Sequence, residues 1–241
     1  MRIDILTLFP EMCREVLSQS VIGRARENGA VEIECTDIRD FTLDKHRRVD
    51  DAPYGGTTGM VMQAQPIYDC FEDLCKRLGK RPHLVYMSPQ GSLLTQDKVK
   101  QLSKLDNIAV LCGHYEGVDQ RIIDEIVDEE ISVGDYVLTG GELPALILAD
   151  SISRLVEGVL PNEEAYTNDS LWNGLLEAPQ YTRPAEWRGR KVPEVLLSGH
   201  HKKIREWKEK MSLTVTAQKR PDLLEKAGVT PQDMEIVQGK K

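Results

Sequence analysis

The stretch that decides the fold runs from Leu111 to Pro144. It reads Leu-Cys-Gly-His-Tyr-Glu-Gly-Val-Asp-Gln-Arg at 111–121 and Ile-Ser-Val-Gly-Asp-Tyr-Val-Leu-Thr-Gly-Gly-Glu-Leu-Pro at 131–144. The stretch holds five glycines, and its apolar runs give way to glycine. Because glycine has no Cβ, the main chain there can turn sharply and lie directly against a ligand. The stretch therefore predicts a binding site built from main chain.

Around this stretch, strands and helices alternate, which predicts an α/β fold with a largely parallel sheet. Ligands of such sheets settle beyond the carboxyl ends of the strands, and three of these ends carry the loops 88–91, 113–117 and 134–141. Neither a Gly-x-Gly-x-x-Gly fingerprint nor a phosphate-binding Gly-x-x-x-x-Gly-Lys-Ser/Thr loop occurs in the sequence. The predicted strands are 3–6, 31–35, 83–87, 108–112 and 131–133, and the predicted helices begin near Pro10, Pro66, Thr95, Val118 and Glu142.

The domain organisation follows from where this periodicity fails. We expect an α/β domain at 1–159, a linker at 160–181 and a helical domain at 182–241. The linker is rich in proline, asparagine and acidic residues, and a connection of that length is usually functional or mobile. In the helical domain, Ser198 is expected to cap a helix over 199–211, and further helices are expected at 221–227 and 231–237.

Charge is distributed unevenly along the chain. The net charge is −8, yet between residues 183 and 220 eleven Lys and Arg face only four Glu. A basic segment on an acidic body suggests a polyanionic partner. A solvated helix face is the competing interpretation, because Glu206, Glu209 and Lys210 allow i,i+3 and i,i+4 pairs.

The cysteines and histidines predict no metal site. The five cysteines are odd in number and show no Cys-x-x-Cys, so we interpret them as buried free thiols. Cys112 ends an apolar strand, which favours packing over nucleophilic chemistry. No apolar run approaches the roughly 20 residues of a membrane helix, and the first ten residues read as a strand, so we expect a cytoplasmic protein.

Three glycine loops without a phosphate signature, together with Tyr86, Tyr115, Tyr136 and Glu116, suit a nucleoside-like cofactor such as S-adenosylmethionine. Seven motifs in order along the chain then closely resemble the bacterial tRNA (guanine-N1)-methyltransferase family. They are Leu-Phe-Pro-Glu-Met (8–12), Val-Asp-Asp-Ala-Pro-Tyr-Gly-Gly (49–56), Tyr-Met-Ser-Pro-Gln-Gly (86–91), Cys-Gly-His-Tyr-Glu-Gly (112–117), Val-Gly-Asp-Tyr-Val-Leu-Thr-Gly-Gly-Glu-Leu-Pro (133–144), Tyr-Thr-Arg-Pro (181–184) and Val-Leu-Leu-Ser-Gly-His-His (195–201).

The resemblance implies a fold of the SPOUT class, whose parallel sheet carries a deep trefoil knot near its C-terminal edge. Knots are rare, and residue periodicity does not predict one. In that family the knot loops hold S-adenosylmethionine. The resemblance maps cofactor binding onto Tyr86, Met87, Ser88, Pro89, Gln90, Gly91, Cys112, Gly113, Tyr115, Glu116, Val133, Gly134, Asp135, Tyr136, Val137, Leu138, Gly140, Gly141 and Pro144.

The implied reaction is methylation of N1 of the guanosine immediately 3′ of the anticodon, position 37 of tRNA. N1 carries a proton, so a general base must remove it, and a donor should stabilise charge growing on O6. By resemblance Asp169 is the base and Arg154 faces O6. From the sequence alone, Asp169 would be a turn or helix-cap residue and Arg154 a helix-surface cation.

The resemblance also implies a homodimer whose site is shared between subunits, a helical domain that grips tRNA phosphates, and a Mg²⁺ requirement. No carboxylate cluster in the sequence points to a metal. The segment Lys45-His46-Arg47-Arg48 would help to bind RNA or would be a solvated basic turn. The implied contacts to substrate RNA are Asp50, Tyr54, Gly55, Gly59, Ser170, Arg183, Lys202 and Arg205.

One motif departs from the family. Where the family commonly has Tyr-Gly-Gly-Gly-Pro-Gly-Met, this chain has Thr57 and Thr58 in place of a glycine and a proline. The change alters the stiffness of a loop expected near the target guanosine. We expect activity to survive it.

Three other functions stay open at this point. Ribose 2′-O methylation by a related knotted fold would not need Asp169 as a base. A non-catalytic RNA-binding module would not need Asp169 and Arg154 together. A nucleotide-binding regulator is disfavoured, because the sequence has no phosphate-binding signature.

Overall fold

The structure is a computed structural model that describes residues 1–56 and 58–230. It divides into two compact units, Met1–Asn162 and a second unit that begins at Glu163. This division falls inside the segment that the sequence predicts as a linker. Thr57 and the helix predicted at 231–237 lie outside the described residues.

The first unit is a five-stranded sheet with helices on both faces, in which every strand pair is parallel. The strand order is β2-β1-β6-β5-β7, and β3 and β4 form a separate antiparallel hairpin. The predicted α/β fold with a parallel sheet is confirmed. The strands are β1 (Arg2–Thr7), β2 (Glu32–Asp37), β3 (Asp50–Asp51), β4 (Val61–Met62), β5 (His83–Leu93), β6 (Asn107–Cys112) and β7 (Glu129–Ser132).

Each face of this sheet packs into its own hydrophobic cluster. Because side chains alternate along a strand, Ile3 and Ile5 of β1 belong to one cluster and Leu6 to the other. The first cluster is covered by α1, α2, α4 and α6, and the second by α3 and α5. These helices are α1 (Pro10–Leu17), α2 (Ser20–Glu27), α3 (Ala64–Leu78), α4 (Gln96–Leu102), α5 (Gln120–Ile126) and α6 (Glu142–Ser153).

Local signals set several boundaries of these elements. Pro10 opens α1, and Gly79 ends α3 in the left-handed conformation with φ 66°. The Thr95 side chain accepts a hydrogen bond from Lys98 N at 3.3 Å and caps α4. The helix predicted around Val118 begins only at Gln120, because Asp119 caps it by accepting from Arg121 N.

The second unit consists mainly of helices. Its long helix α9 begins at His201 rather than at Gly199, so the predicted Ser198 cap is wrong. Gly199 has φ 66°, which breaks the helical path, and the Ser198 hydroxyl accepts from His200 N outside the helix. The elements are α7 (Glu164–Thr167), the hairpin β8 (Glu186–Trp187) and β9 (Arg190–Lys191), α8 (Glu194–Leu197), α9 (His201–Lys219) and α10 (Pro221–Lys226).

Candidate active site

Three loops enclose a cavity of about 250 Å³ in the first unit. They come from the middle of β5, from the end of β6 and from the segment between β7 and α6. This is the place that the glycine pattern predicts. The lining residues are Met87, Ser88, Pro89, Gly113, Tyr115, Glu116, Gly117, Ile131, Ser132, Val133, Gly134, Tyr136, Val137, Leu138, Thr139, Gly140, Gly141 and Pro144.

Glycine is required where these loops contact one another. A Cβ on Gly91 would lie 2.3 Å from the carbonyl carbon of Glu130, and one on Gly141 would lie 2.8 Å from Cys112 Cα. Gly141 N donates a 2.8 Å hydrogen bond to Gly113 O. Since backbone cannot give way as a flexible side chain can, the loops pack this closely only without side chains.

The register of the sheet breaks where β5 reaches the cavity. Met87 pairs with Ile131, and so does Ser92, so the four residues between them bulge out of the ladder. Such bulges redirect the chain at functional sites. Here the bulge carries Ser88 and Pro89 to the cavity wall.

The wall combines main chain with apolar and aromatic side chains. Tyr136, Val137 and Leu138 are 54%, 85% and 39% exposed, which leaves an apolar surface open at the cavity. Tyr115 has φ 60°, a left-handed conformation that is strained for a tyrosine and costs on the order of 1–3 kcal/mol. Strain held at a cavity wall points to a functional constraint on this loop.

The β3–β4 hairpin lies against the same wall. Glu116 N donates to Met60 O at 3.0 Å, and Met62 N donates to Gly117 O at 2.9 Å. A Cβ on Gly59 would lie 2.4 Å from Glu116 Cγ. The hairpin loop therefore borders the cavity, and its Tyr54 side chain is fully exposed.

Fourteen of the nineteen residues predicted to bind cofactor line the cavity. Tyr86 and Cys112 do not, because their side chains lie in the hydrophobic clusters on the two faces of the sheet. Gly91 packs on the main chain of β7, where it supports the wall without lining it. Gln90 and Asp135 also lie outside the lining.

Four lining residues are missing from the prediction: Gly117, Ile131, Ser132 and Thr139. Each lies next to, or within two positions of, a residue that was predicted. The sequence signal that identifies them is their position next to the glycine loops, since a loop that wraps a cavity presents consecutive residues to it.

Burial sets the ionisation of two groups behind the wall. It raises the pKa of Tyr86 to about 12, with Glu130 adding to the effect, so the phenol stays protonated. Burial also raises the pKa of the Cys112 thiol well above its ordinary value, and Glu142 and Cys35 raise it further. A thiol that resists ionisation is a poor nucleophile, which agrees with the packing role predicted for Cys112. All five cysteines are free, and four of them are buried.

Arg154 and Asp169 lie in different units of the chain. Arg154 follows the last residue of α6 and lines a separate hollow with Val16, Asp150 and Leu160. Asp169 lies after α7 and lines a hollow of the second unit that also contains Arg205 and Lys208. Arg154 does not line the glycine cavity of its own unit.

The remaining residues predicted to contact RNA are spread over both units. Asp50 pairs with Met62 in the hairpin, and Gly55 and Gly59 have φ of 96° and 104°. In the second unit, the Ser170 hydroxyl accepts from Glu177 N at 3.0 Å. Arg183 is exposed, and Lys202 and Arg205 lie on α9.

Across residues 1–56 and 58–230, no group of three or more His, Cys, Asp or Glu side chains is arranged to hold a metal ion. Over the same ranges, no helix combines the length and apolar character needed to cross a membrane.

A parallel sheet whose glycine loops wall a cavity defines a ligand-binding α/β domain, here followed by a basic helical unit. Residues 1–226 match the family model described as tRNA (Guanine-1)-methyltransferase TrmD. The chain therefore belongs to the tRNA (guanine-N1)-methyltransferase family, an enzyme family of the SPOUT class.

Curated relatives agree with this assignment over almost their whole length. The chain is 55% identical to the tRNA (guanine-N(1)-)-methyltransferase of Ruminiclostridium cellulolyticum, covering 94% of this chain and 97% of that protein. It is 53% identical to the protein of that name from Lachnospira eligens, covering 93% and 95%. It is 50% identical to the one from Halalkalibacterium halodurans, covering 98% and 96%.

Proposed function

We propose that this chain transfers the methyl group of S-adenosylmethionine to N1 of the guanosine immediately 3′ of the anticodon of tRNA. The observation that carries the proposal is the cavity walled by three glycine loops, in a chain whose family is named for guanine-1 methylation. Such an enzyme works in the cytoplasm, where its tRNA substrate is found.

The residues of the cavity fit the methyl donor. Main chain of the glycine loops lines the cavity and can hydrogen-bond to polar groups of the ligand, and the exposed apolar side chains at 136–138 can cover an adenine ring. Glu116 lines the cavity and can accept from a ribose hydroxyl. When bound, S-adenosylmethionine supplies an electrophilic methyl group on its sulfonium sulfur.

The protein must then manage a proton and a developing charge. In the proposed mechanism, Asp169 accepts the proton of guanine N1, and the N1 electron pair takes the methyl carbon. The donor would leave as S-adenosylhomocysteine, which keeps the electron pair of the broken methyl–sulfur bond. Arg154 donates hydrogen bonds to O6, where negative charge grows as the proton leaves. Both residues match the family's positions for these roles.

We propose that the active site is shared by two copies of the chain. Arg154 lies in the same unit as the glycine cavity but does not line it, and Asp169 belongs to the other unit. Met12 and Val16 on α1, and Leu143 and Ile147 on α6, are apolar side chains between 43% and 52% exposed. Since α1 packs on α6, these residues can form one surface for a second copy, and Arg154 shares a hollow with Val16.

The proposal includes the implied trefoil knot. Its support is the contact of Gly141 with Cys112 and Gly113, which joins the start of α6 to the end of β6 without side chains between them. A chain that threads a loop needs such close backbone passages.

We propose that the second unit binds tRNA through α9 and the basic segment before it. Lys202 and Arg205 lie one turn apart on α9, and Arg205 shares a hollow with Asp169. The basic side chains would bind phosphates, so affinity should fall as salt rises. A Mg²⁺ ion, if used, would keep waters and take few protein ligands, and no step is assigned to it.

Nucleoside analysis of a tRNA transcript treated with the protein and S-adenosylmethionine tests this function. N1-methylguanosine is the expected product, whereas a 2′-O-methylated nucleoside would indicate the related ribose chemistry. Asp169→Asn keeps the shape of the side chain but removes the proton acceptor. We expect this variant to bind tRNA and donor normally and to lose turnover, and unchanged turnover would remove Asp169 from the mechanism.

A further inference from the structure

Behind the glycine wall lies a buried polar cluster that no proposed step uses. Glu142, the first residue of α6, is only 4% exposed. Its Oε1 accepts a 2.8 Å hydrogen bond from the Thr7 hydroxyl, which in turn accepts from Phe9 N at 2.9 Å. This chain of hydrogen bonds joins the end of β1 to the start of α6.

The second oxygen of Glu142 lies over Gly140, beside His114. A Cβ on Gly140 would lie 2.4 Å from Glu142 Oε2 and 2.6 Å from His114 Nδ1. These two atoms therefore lie over the same α-carbon, one from the 113–117 loop and the other from the first residue of α6. The backbone conformation at position 140 does not require glycine, because the φ of Gly140 is outside the left-handed region. What requires glycine there is the space that Glu142 and His114 occupy.

His114 Nδ1 is a buried atom that has no hydrogen-bond partner among the described residues. A buried polar atom without a partner is costly, and such atoms in native proteins usually have a reason. The His114 ring is fixed at this place, since it contacts the Phe9 and Tyr115 rings at centroid distances of 5.0 and 4.8 Å. Glu142 Oε2 is the polar atom that approaches the Gly140 Cβ position together with Nδ1.

We propose that His114 and Glu142 are positioning residues, whose Nδ1–H···Oε2 hydrogen bond forms when the methyl donor binds and clamps the 113–117 loop to the 134–141 loop. Neither residue lines the cavity, so both act through the glycines between them and the ligand. Hydrogen bonds that are long in a free enzyme often tighten in its complexes. This inference rests on the proposed function, because it takes the methyl donor as the ligand.

Two substitutions of His114 form a matched pair. His114→Asn keeps a side-chain nitrogen near the position of Nδ1, whereas His114→Gln moves it to the position of Nε2. With S-adenosylhomocysteine as the probe in calorimetry, we expect His114→Gln to weaken binding about tenfold and His114→Asn about twofold or less. The KM for the donor should rise in parallel, with a smaller change in kcat. Equal effects of the two substitutions, or no effect of either, would overturn the inference.

Glu142→Gln supplies the other half of a double-mutant cycle. If the two residues act through one contact, adding His114→Gln to Glu142→Gln should weaken probe binding no further. Additive losses would contradict a shared contact. Thermal unfolding checks that each variant folds, and if Glu142→Gln does not, the His114 pair decides alone.

A spectroscopic test does not depend on substitution. With ¹⁵N-labelled histidine, addition of S-adenosylhomocysteine should bring out a downfield proton on one histidine Nδ1, and His114→Gln should abolish that signal. Absence of the signal in a saturated complex would contradict the clamp. If the unaltered protein binds no probe at all, the proposed function fails and the inference fails with it. Binding without the signal, or without discrimination between the His114 variants, overturns the inference alone.

Discussion

Glycines in this chain serve two physical purposes, and the difference shows residue by residue. Gly79 has φ 66° and open space where a Cβ would point, so its role is to end α3. Gly91 lies outside the left-handed region, but a Cβ there would meet the main chain of Glu130 and Ile131 at 2.3 and 2.4 Å. The first purpose is conformational and the second is close approach.

Gly91→Ala should therefore damage the cavity, whereas Gly79→Ala should not. Alanine at 91 must push β5 away from β7, which we expect to destabilise the fold by about 1–3 kcal/mol and to weaken donor binding. Alanine at 79 bears a left-handed strain of about 1–2 kcal/mol, with donor affinity unchanged. Denaturant unfolding and calorimetry measure the two effects. Unaltered donor affinity in Gly91→Ala would show that the bulge does not shape the cavity.

Sequence predicted the cavity residues well because loops that wrap a ligand are contiguous in the chain. The cavity lining departs from the predicted set where the predicted segments run into strands. Along a strand, successive side chains point to opposite faces, so motif matching included Tyr86 and Cys112, whose side chains lie in the two cores. No single-residue signal marked His114 and Glu142, because their proximity depends on how two loops meet over Gly140.

At the scale of elements, a polar cluster fixes the end of the sheet away from the cavity. Glu129 of β7 accepts from His83 of β5 and from Lys98 of α4, both at 2.8 Å. Burial by itself would raise the pKa of Glu129, but the hydrogen bonds from Lys98 and His83 outweigh it, so the pKa is lowered. The cluster thus joins β5 and β7, which both reach the cavity, to α4.

The lowered pKa predicts an acid-labile contribution to stability. A carboxylate whose pKa falls on folding stabilises the fold above its unfolded value of about 4.3, and that contribution is lost as pH falls through the folded pKa. In the unaltered protein, the free energy of unfolding should therefore fall between about pH 5 and pH 3. Glu129→Gln should make this fall smaller. Glu125→Gln, at an exposed carboxylate on α5, is the control. Identical pH profiles for the two variants would contradict this role.

Helix α9 gives a second prediction at this scale. Arg205→Ala should weaken tRNA binding and reduce the slope of log affinity against log salt by about 1, as expected for loss of one phosphate contact. Lys219→Ala removes the same charge at the far end of the helix and should change the slope less. Binding titrations across a salt series measure both. Equal slopes in the two variants would argue for a general charge effect and against a defined contact.

Long elements followed from the sequence, and short ones did not. The helices α1 and α3 follow from the sequence because their apolar residues recur at helical spacing over two or more turns. The hairpin strands β3 and β4 span two residues each, which is too short for any period. The sequence places the start of helix α9 at Gly199, because Ser198 is a typical helix-capping residue. The left-handed backbone of Gly199 prevents the helix from starting there, so it begins at His201.

At the scale of the whole molecule, a second copy is the proposed partner of the α1 and α6 surface. Ile147→Glu places a charge in this surface, at a side chain that is 46% exposed in one chain. We expect it to shift sedimentation from dimer to monomer and to abolish methylation, with unfolding little changed. Leu93→Glu, at a 57% exposed position outside this surface, should leave both unaltered. An active monomer would contradict a shared site.

Local sequence patterns cannot predict the proposed knot or the proposed dimer. Periodicity reports which face of an element is buried, but a knot depends on the order in which segments cross. In a single chain, an apolar residue of a subunit interface cannot be distinguished from any other exposed apolar residue. Both are implied by the resemblance across the whole chain, and both stay proposals.

The most direct test of the central claim locates the methyl group. The protein is incubated with labelled S-adenosylmethionine and an unmodified tRNA bearing guanosine at the third anticodon position and at the next nucleotide. A matched transcript with adenosine at that next nucleotide is the control. The account predicts label at N1 of the guanosine following the anticodon and none in the control. Label on a ribose, on another base, or equally in both transcripts would contradict it.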